Sequence, residues 1–247
     1  MKVLLTGASG QLGRCVQDVF PKEWQLFAFN SQELDITNLE QVESTFETIK
    51  PDAVINAAAY TKVDQAESET DLAFRVNATG VYHLALCSKK HGSRLIHIST
   101  DYVFDGTKRE PYTEIDPINP INVYGQSKLA GENLALATHI NTLILRTSWV
   151  FSEYGNNFLK TMLRIGKNNP ELRIVSDQIG TPTYAGDIAN AIIHLLKNHR
   201  EERGILNISG KDICSWAEFA KLIFQVTSQA TPQYPVPNVT EILTEEY

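Results

Sequence analysis

The sequence predicts an α/β fold in which a doubly wound parallel sheet carries helices on both faces and a smaller lobe follows it. Short apolar runs alternate with helical segments through the first half of the chain, and the first run ends at a glycine-rich turn. After Trp149 this alternation loosens. We therefore expect residues 1–148 to form the main domain, with segments near 173–176 and 185–209 returning to it. Residues 149–247 should mainly form the smaller lobe.

Each element follows from its apolar spacing. Buried parallel strands are short apolar runs bounded by glycine, proline or polar residues, and those of the main domain are 2–6, 25–29, 53–58, 94–99 and 142–146. Apolar residues three and four apart predict the helices between them, at 11–20, 39–49, 71–91 and 124–138. Later helices are 157–166, 185–197 and 215–226, with strands at 173–176 and 205–208. Ser215 followed by Glu218 fits a capping box, and the three prolines after Thr231 predict a loop from there to Tyr247.

Composition narrows the class of protein. The 247 residues carry a net charge of −7 with acids and bases mixed along the chain, which argues against a nucleic-acid or membrane-surface partner. No apolar run has the length of a membrane span, and the first run is too short for a signal peptide. Cys15, Cys87 and Cys214 are far apart in sequence. Their spacing predicts reduced thiols and a cytoplasmic protein.

Gly7, Gly10 and Gly13 form a G-x-x-G-x-x-G turn directly after the first strand. Such glycines allow a tight turn, a close approach of the backbone to a pyrophosphate, and close helix–strand packing. The helix that follows points its positive end at the phosphates. A purely structural turn is the alternative, but the position favours a Rossmann-type dinucleotide site.

The end of the second strand bears on the choice of dinucleotide. NAD sites place an acidic residue there to bind the ribose hydroxyls, whereas this chain has Asn30. Arg14 after the last glycine could meet a 2′-phosphate, or could simply be a solvated helix residue. The sequence favours NADPH, with NADH still open.

Tyr124 and Lys128 form a Y-x-x-x-K pair on a predicted helix, where residues four apart share a face. An ammonium near the phenol would lower the tyrosine pKa toward the range useful for proton transfer. Thr100 closes the fourth strand, at the sheet edge where such folds bind ligands, and could donate to the same substrate oxygen. The motif also occurs by chance, but more rarely behind a nucleotide turn in this order.

The chain resembles the dTDP-4-dehydrorhamnose reductases, a group of extended short-chain dehydrogenases. The resemblance is carried by segments 7–13, 56–64, 99–106, 124–128, 146–151, 156–158 and 177–183. It implies NAD(P)H-dependent reduction of the 4-keto group of dTDP-4-dehydrorhamnose to dTDP-L-rhamnose, for deoxysugar and polysaccharide biosynthesis. A nucleotide-sugar substrate, a substrate-binding C-terminal lobe and a homodimer are compatible with it.

The same resemblance assigns roles to individual residues. It makes Thr100, Tyr124 and Lys128 catalytic. Besides the three glycines, Asn30, Tyr124 and Lys128, it places these residues at the cofactor: Gln11, Leu12, Asp35, Ile36, Ala57, Ala59, Tyr60 and Thr61. It places these at the substrate: Val63, Thr100, Asp101, Tyr102 and Trp149. Trp149 could instead belong to the core and Asp101 could cap a turn, while Asn77 matches a family asparagine that shapes the backbone.

Two departures and two alternatives accompany this assignment. Relatives continue past Tyr247 with a tail that helps close the substrate site, so we expect weaker substrate binding without it. Some relatives place a metal-binding carboxylate at the position of Cys15, and a thiol there predicts no metal.

A dehydratase or epimerase on this scaffold is one alternative function, but dehydratases carry an acid where this chain has Tyr102. A non-catalytic regulatory subunit, like that of methionine adenosyltransferase, is the other.

Overall fold

The computed structural model describes residues 1–246, which divide into two compact units. The first unit comprises Met1–Thr147 and Gly186–Ile208. The second comprises Ser148–Ala185 and the residues from Ser209 onward. Among residues 1–246, every helix is too short or too polar to cross a lipid bilayer.

A six-stranded parallel sheet forms the centre of the first unit, which confirms the predicted fold class. Its strands are β1 (Lys2–Thr6), β2 (Gln25–Phe29), β3 (Ala53–Asn56), β4 (Arg94–Thr100), β5 (Thr142–Thr147) and β10 (Gly204–Asn207). They lie in the order β2-β1-β3-β4-β5-β10. The chain therefore reverses its winding direction between β1 and β3. In open α/β sheets, ligands bind beyond the carboxyl ends of the strands at such a switch point.

The helices of the first unit pack an apolar core against this sheet, with Leu4, Phe46 and Leu95 fully buried in it. They are α1 (Gln11–Asp18), α2 (Leu39–Ile49), α3 (Val63–Ala66), α4 (Thr70–Phe74), α5 (Gly80–His91), α6 (Val123–Thr138) and α8 (Ala185–Asn198). The helix expected over 71–91 is present without a break, but a π-helical turn at Arg75–Thr79, which the sequence did not predict, joins α4 to α5. The short helix α3 was also absent from the sequence-based prediction.

The second unit holds helices α7 (Phe158–Gly166) and α9 (Trp216–Ala230) and three two-stranded sheets. Its strands are β6 (Val150–Phe151), β7 (Glu171–Val175), β8 (Ile179–Gly180), β9 (Thr183–Tyr184), β11 (Cys214–Ser215) and β12 (Asn238–Ile242). Met162, Phe224 and Tyr234 pack in its own core. The capping box of α9 is present, since Glu218 N–H donates to Ser215 Oγ over 3.1 Å and Ser215 N–H to Glu218 Oε2 over 2.7 Å.

Two expectations for this part of the chain are corrected. The strand near 173–176 was expected to return to the main domain, but β7 pairs in parallel with β12 in the second unit. The predicted loop after Thr231 therefore contains a strand, whose residue Ile242 is buried. Tyr247, the last residue of that predicted loop, lies outside the described residues.

Candidate active site

The glycine turn joins β1 to α1 in a conformation that side chains would obstruct. Gly7 has φ +73°, and a Cβ there would come within 2.5 Å of the backbone of Ala57 at the end of β3. A Cβ on Gly13 would overlap the carbonyl group of Gly7. Gly10 is the N-cap of α1 and has no side chain to occupy the amides of the first helical turn. Backbone amides that no side chain covers, at a helix N-terminus, suit the binding of a pyrophosphate.

The end of β2 contains an acidic group that the sequence analysis missed. Asn30 uses its side-chain oxygen to accept from Gln32 N–H over 2.8 Å, while its own N–H donates to Glu33 Oε2 over 2.9 Å. Glu33 is exposed and lies three residues after Asn30, the first residue beyond β2. Asp35, predicted to meet the cofactor, is also exposed and accepts from Thr37 N–H and Oγ1–H.

Thr100 and Tyr124 come together at the carboxyl edge of β4. Helix α6 begins behind Asn122, whose Oδ1 accepts from Gly125 N–H over 2.7 Å. A Cβ at Gly125 would overlap the carbonyl oxygen of Tyr102, so this glycine lets the first turn of α6 approach the segment after β4 closely. The Thr100 side chain acts on the phenol of Tyr124 and lowers its pKa.

The phenol of Tyr124 is held in its protonated form. Burial raises its pKa above the ordinary value of 10.0, the nearby groups of Asp101 and Tyr102 raise it further, and only the Thr100 side chain opposes them. Lys128 is not among the groups that shift this pKa in the chain without cofactor, so the lowering expected from Lys128 and an oxidised nicotinamide stays a prediction. A protonated phenol suits a group that gives a proton to a substrate oxygen.

Lys128 is 2% exposed and lies one helical turn after Tyr124. Its Nζ donates to the carbonyl oxygen of Ile98 over 2.6 Å. Burial lowers its pKa to about 8, and the charge of Glu132 acts in the opposite direction. Glu132 in turn forms a buried ion pair with Arg146, 2.6 Å between Nη2 and Oε2.

Asp101 and Tyr102 follow Thr100 in a 3₁₀ turn. Thr100 Oγ1 donates to Asp101 Oδ1 over 3.2 Å and accepts from Tyr102 N–H over the same distance. Burial raises the pKa of Asp101 to about 6, although its hydrogen bonds lower it. The ring of Tyr102 meets that of Tyr124 edge-on, with 5.5 Å between centroids. Tyr102 remains partly exposed, so its hydroxyl can reach a ligand.

Asn77 ties the segment after β3 to α6. Its Oδ1 accepts from Tyr60 N–H over 2.8 Å, and its Nδ2 donates to Tyr60 O and to Ser127 Oγ, each over 3.0 Å. Ser127 Oγ–H donates to the carbonyl oxygen of Tyr124. Asn77 therefore shapes backbone around the site, and it lies in the π-helical turn that joins α4 to α5.

Comparison with known proteins identifies the family. The model of the RmlD substrate binding domain matches residues 1–247. The dTDP-4-dehydrorhamnose reductase of Aggregatibacter actinomycetemcomitans is 46% identical over all of this chain and 86% of its own length. This chain belongs to the dTDP-4-dehydrorhamnose reductase family. The spore coat polysaccharide biosynthesis protein SpsK of Bacillus subtilis is 42% identical over the whole chain and 84% of its own length.

A solved structure of the same family has the same fold. The crystal structure of dTDP-4-dehydrorhamnose reductase from Bacillus anthracis in complex with NADP superposes with a TM-score of 0.94 at 44% identity. The match covers 99% of this chain and 85% of that one. The resemblance inferred from the sequence motifs is thereby confirmed.

Most of the site residues expected in this family member lie in the first unit, beyond the carboxyl ends of β1, β3 and β4. The segment after β3 runs from Ala57 through Thr61, which is exposed, to Val63 at the start of α3. Ile36, by contrast, is 4% exposed, so a ligand would meet little of its side chain. The individual roles of all these residues stay predictions.

Trp149 belongs to the second unit. Its φ is +46°, and its ring stacks on Trp216 with 3.4 Å between centroids. A Cβ on Gly180 would overlap the Trp149 ring, so this glycine makes room for it. Trp216 was not among the predicted site residues, although it follows the capping serine of a helix that the sequence did predict.

Proposed function

We propose that this chain reduces the 4-keto group of dTDP-4-dehydrorhamnose to give dTDP-L-rhamnose, with NADPH as the hydride donor. The observation that carries the proposal is the placement of Thr100, Tyr124 and Lys128 in the unit that holds the glycine turn. Relatives named as dTDP-4-dehydrorhamnose reductases, which match 94% or more of the chain, support the substrate. Dehydratase chemistry lacks its acid, because Tyr102 follows the Thr-Asp pair.

The cofactor fits the bare backbone at Gly7, Gly10 and Gly13, which would hold its pyrophosphate. When bound, NADPH supplies the hydride for the ketone carbon. Asn30, directly after β2, leaves the adenosine end without an acid at that position, but the Glu33 carboxylate lies beside it. Acceptance of NADPH therefore requires the exposed Glu33 carboxylate to turn away from a 2′-phosphate, which leaves NADH as a second donor.

The chain's own residues act on the ketone oxygen. Tyr124 gives its proton to that oxygen as negative charge develops there, and its raised pKa keeps the proton available until then. Thr100 donates a hydrogen bond to the same oxygen and polarises the carbonyl group. Lys128 would hold the nicotinamide ribose of a bound cofactor, and as an ammonium it would stabilise the phenolate that forms when Tyr124 gives up its proton. Asp101 and Tyr102 orient the sugar hydroxyls.

In this proposal the first unit is the dinucleotide-binding domain, and the second unit, to which Trp149 belongs, is the substrate-binding lobe. We place the activity in the cytoplasm. The chain's three cysteines are reduced, and Cys15 and Cys87 are buried, as expected for a reducing compartment.

The test is oxidation of NADPH by the purified chain with dTDP-4-dehydrorhamnose, with NADH in parallel. Tyr124→Phe keeps the ring and removes the proton, so kcat should fall by roughly 10²–10⁴-fold with little change in KM. Tyr112→Phe is the matched control, since Tyr112 also has a hydrogen-bonded hydroxyl in the first unit. It should keep turnover near that of the unaltered chain. Near-normal turnover of Tyr124→Phe would remove the mechanism.

A further inference from the structure

A row of buried polar side chains crosses the centre of the parallel sheet. Thr6 on β1 is in register with Asn56 on β3, and Asn56 is in register with His97 on β4. All three are at most 1% exposed, within strands that are otherwise mainly apolar. Thr6 Oγ1–H donates to Asn56 Oδ1 over 2.7 Å, and Asn56 Nδ2 lies 2.9 Å from His97 Nδ1. The row starts next to the glycine turn and ends at Lys128.

The hydrogen bonds of Asn56 fix the orientation of its amide. Its Oδ1 also accepts from Ala58 N–H over 3.1 Å, and a backbone N–H can only donate. The amide NH₂ group must therefore face His97 Nδ1. Because that group only donates too, Nδ1 is the acceptor and carries no proton. A neutral His97 then has its proton on Nε2.

This tautomer points an N–H at Lys128, whose Nζ lies 3.5 Å from His97 Nε2. An ammonium has three donors and no acceptor, so it cannot accept that N–H, whereas a neutral amine can. His97 cannot resolve the conflict by gaining a second proton, since burial and the adjacent Lys128 hold its pKa well below the usual range.

The other groups around Lys128 act differently. Ile98 O accepts from Nζ, and the Glu132 carboxylate favours the ammonium, but Glu132 is already paired with Arg146 on β5. Tyr124, one turn earlier on α6, is neutral in its protonated form. Among these groups, the Nε2–H of His97 is the one whose hydrogen bond requires the amine.

We propose that His97 is a positioning residue for Lys128: Asn56, oriented by Thr6 and by the N–H of Ala58, holds it as the Nε2–H tautomer, and this N–H favours the neutral amine of Lys128. Its catalytic consequence rests on the proposed function, in which the Lys128 ammonium stabilises the Tyr124 phenolate. His97 then sets the upper pH limit of catalysis, because it lowers the pH at which Lys128 loses its charge.

Nitrogen NMR of ¹⁵N-histidine-labelled protein tests the tautomer directly. The His97 resonances, assigned by their loss in His97→Gln, should show a protonated Nε2 and an unprotonated Nδ1 from pH 6 to pH 9. No activity is needed for this measurement. A protonated Nδ1 would overturn the inference.

The pKa of Lys128 is measured by NMR of ¹³C-labelled lysine, with the signal assigned by its loss in Lys128→Met. In His97→Gln the new side chain can turn its carbonyl oxygen to the ammonium, so this pKa should rise by about one unit. His97→Asn also removes the N–H while it keeps an acceptor for Asn56, and it should likewise raise the Lys128 pKa. It replaces the first variant if that one fails to fold.

His139→Gln is the matched control. His139 is also buried, and its Nε2 bonds to Ser93 O over 2.7 Å at the opposite end of β4, so its loss should leave the Lys128 pKa in place. An unchanged Lys128 pKa in both His97 variants, or an equal rise in His139→Gln, would overturn the inference.

Turnover separates this inference from the proposed function. The alkaline limb of kcat/KM for NADPH-dependent reduction should move to higher pH in His97→Gln, by the same amount as the Lys128 pKa. If the pKa moves but no ketone is reduced, the proposed function fails and the inference stands. If the unaltered chain reduces the ketone but neither His97 variant moves the limb, the inference fails and the function stands.

Discussion

Asp101→Asn should stabilise the first unit at neutral pH, although it alters a residue proposed to bind substrate. Burial raises the pKa of Asp101 from 3.8 to about 6. The folded state therefore holds its proton more tightly than the unfolded chain does, and stability is lost as pH rises from about 4 through 6. Two pKa units correspond to about 3 kcal/mol above that window, a penalty that asparagine does not carry.

The assay is denaturant unfolding of both proteins at several pH values, followed by circular dichroism. The difference in unfolding free energy should grow in favour of Asp101→Asn by about 1–1.5 kcal/mol between pH 5 and pH 8. Asp116→Asn provides a control of opposite sign. Hydrogen bonds from Lys108 and Thr113 lower the pKa of Asp116 to about 2, so its replacement should destabilise at neutral pH. A constant difference between Asp101→Asn and the unaltered chain across this range would refute the reasoning.

Three further predictions concern the cofactor and the ketone. Asn30→Asp should shift the ratio of kcat/KM values toward NADH, because a carboxylate there accepts hydrogen bonds from the ribose hydroxyls and repels a 2′-phosphate. An unaltered chain that already rejects NADPH more than about tenfold would contradict this. Gly13→Ala should lower stability by about 1–3 kcal/mol in denaturant unfolding, because its methyl group overlaps the Gly7 carbonyl. Thr100→Val should reduce kcat by about tenfold, less than Tyr124→Phe, because it removes one hydrogen-bond donor to the ketone oxygen. If steady-state kinetics showed that both variants lose the same kcat, Thr100 would not have the secondary role proposed for it.

Apolar periodicity predicted the central sheet well, because nearly all residues of β1, β3, β4 and β5 are buried. It missed the strand β12, which packs against β7 on one side and is mostly exposed. Most side chains of β12 are exposed, and three prolines precede it, so its sequence is typical of a loop. Only its pairing with β7 shows that it is a strand. The π-helical turn at Arg75–Thr79 was hidden for another reason. It keeps apolar residues at helical spacing, and its irregularity accompanies a side chain, Asn77, that bonds to backbone 17 residues earlier in the chain.

The sequence predicts those site residues that belong to short motifs. The glycine turn and the Tyr124–Lys128 pair can be found from spacing alone, and the structure gives each a local geometry that fits its motif. Charge states were not predictable in this way. The sign of the Tyr124 shift depends on burial at the end of β4, and burial is a property of packing that Y-x-x-x-K does not contain.

His97 illustrates how much a parallel register adds to a sequence. Within an apolar run, a lone histidine has no partner that the sequence reveals, and Asn56, which fixes its tautomer, lies 41 positions away along the chain. The register places Asn56 beside both Thr6 and His97, so each donor and acceptor follows from the one before it. The protonation of Lys128 thus depends on side chains that never touch a substrate. Substitution of Thr6 by Val should leave Asn56 bound to Ala58 N–H and hence preserve the tautomer, whereas Asn56→Leu frees Nδ1 and should let the imidazole proton move there. In Asn56→Leu, His97 Nε2 can then accept from the ammonium, and the Lys128 pKa should rise in the same lysine NMR titration.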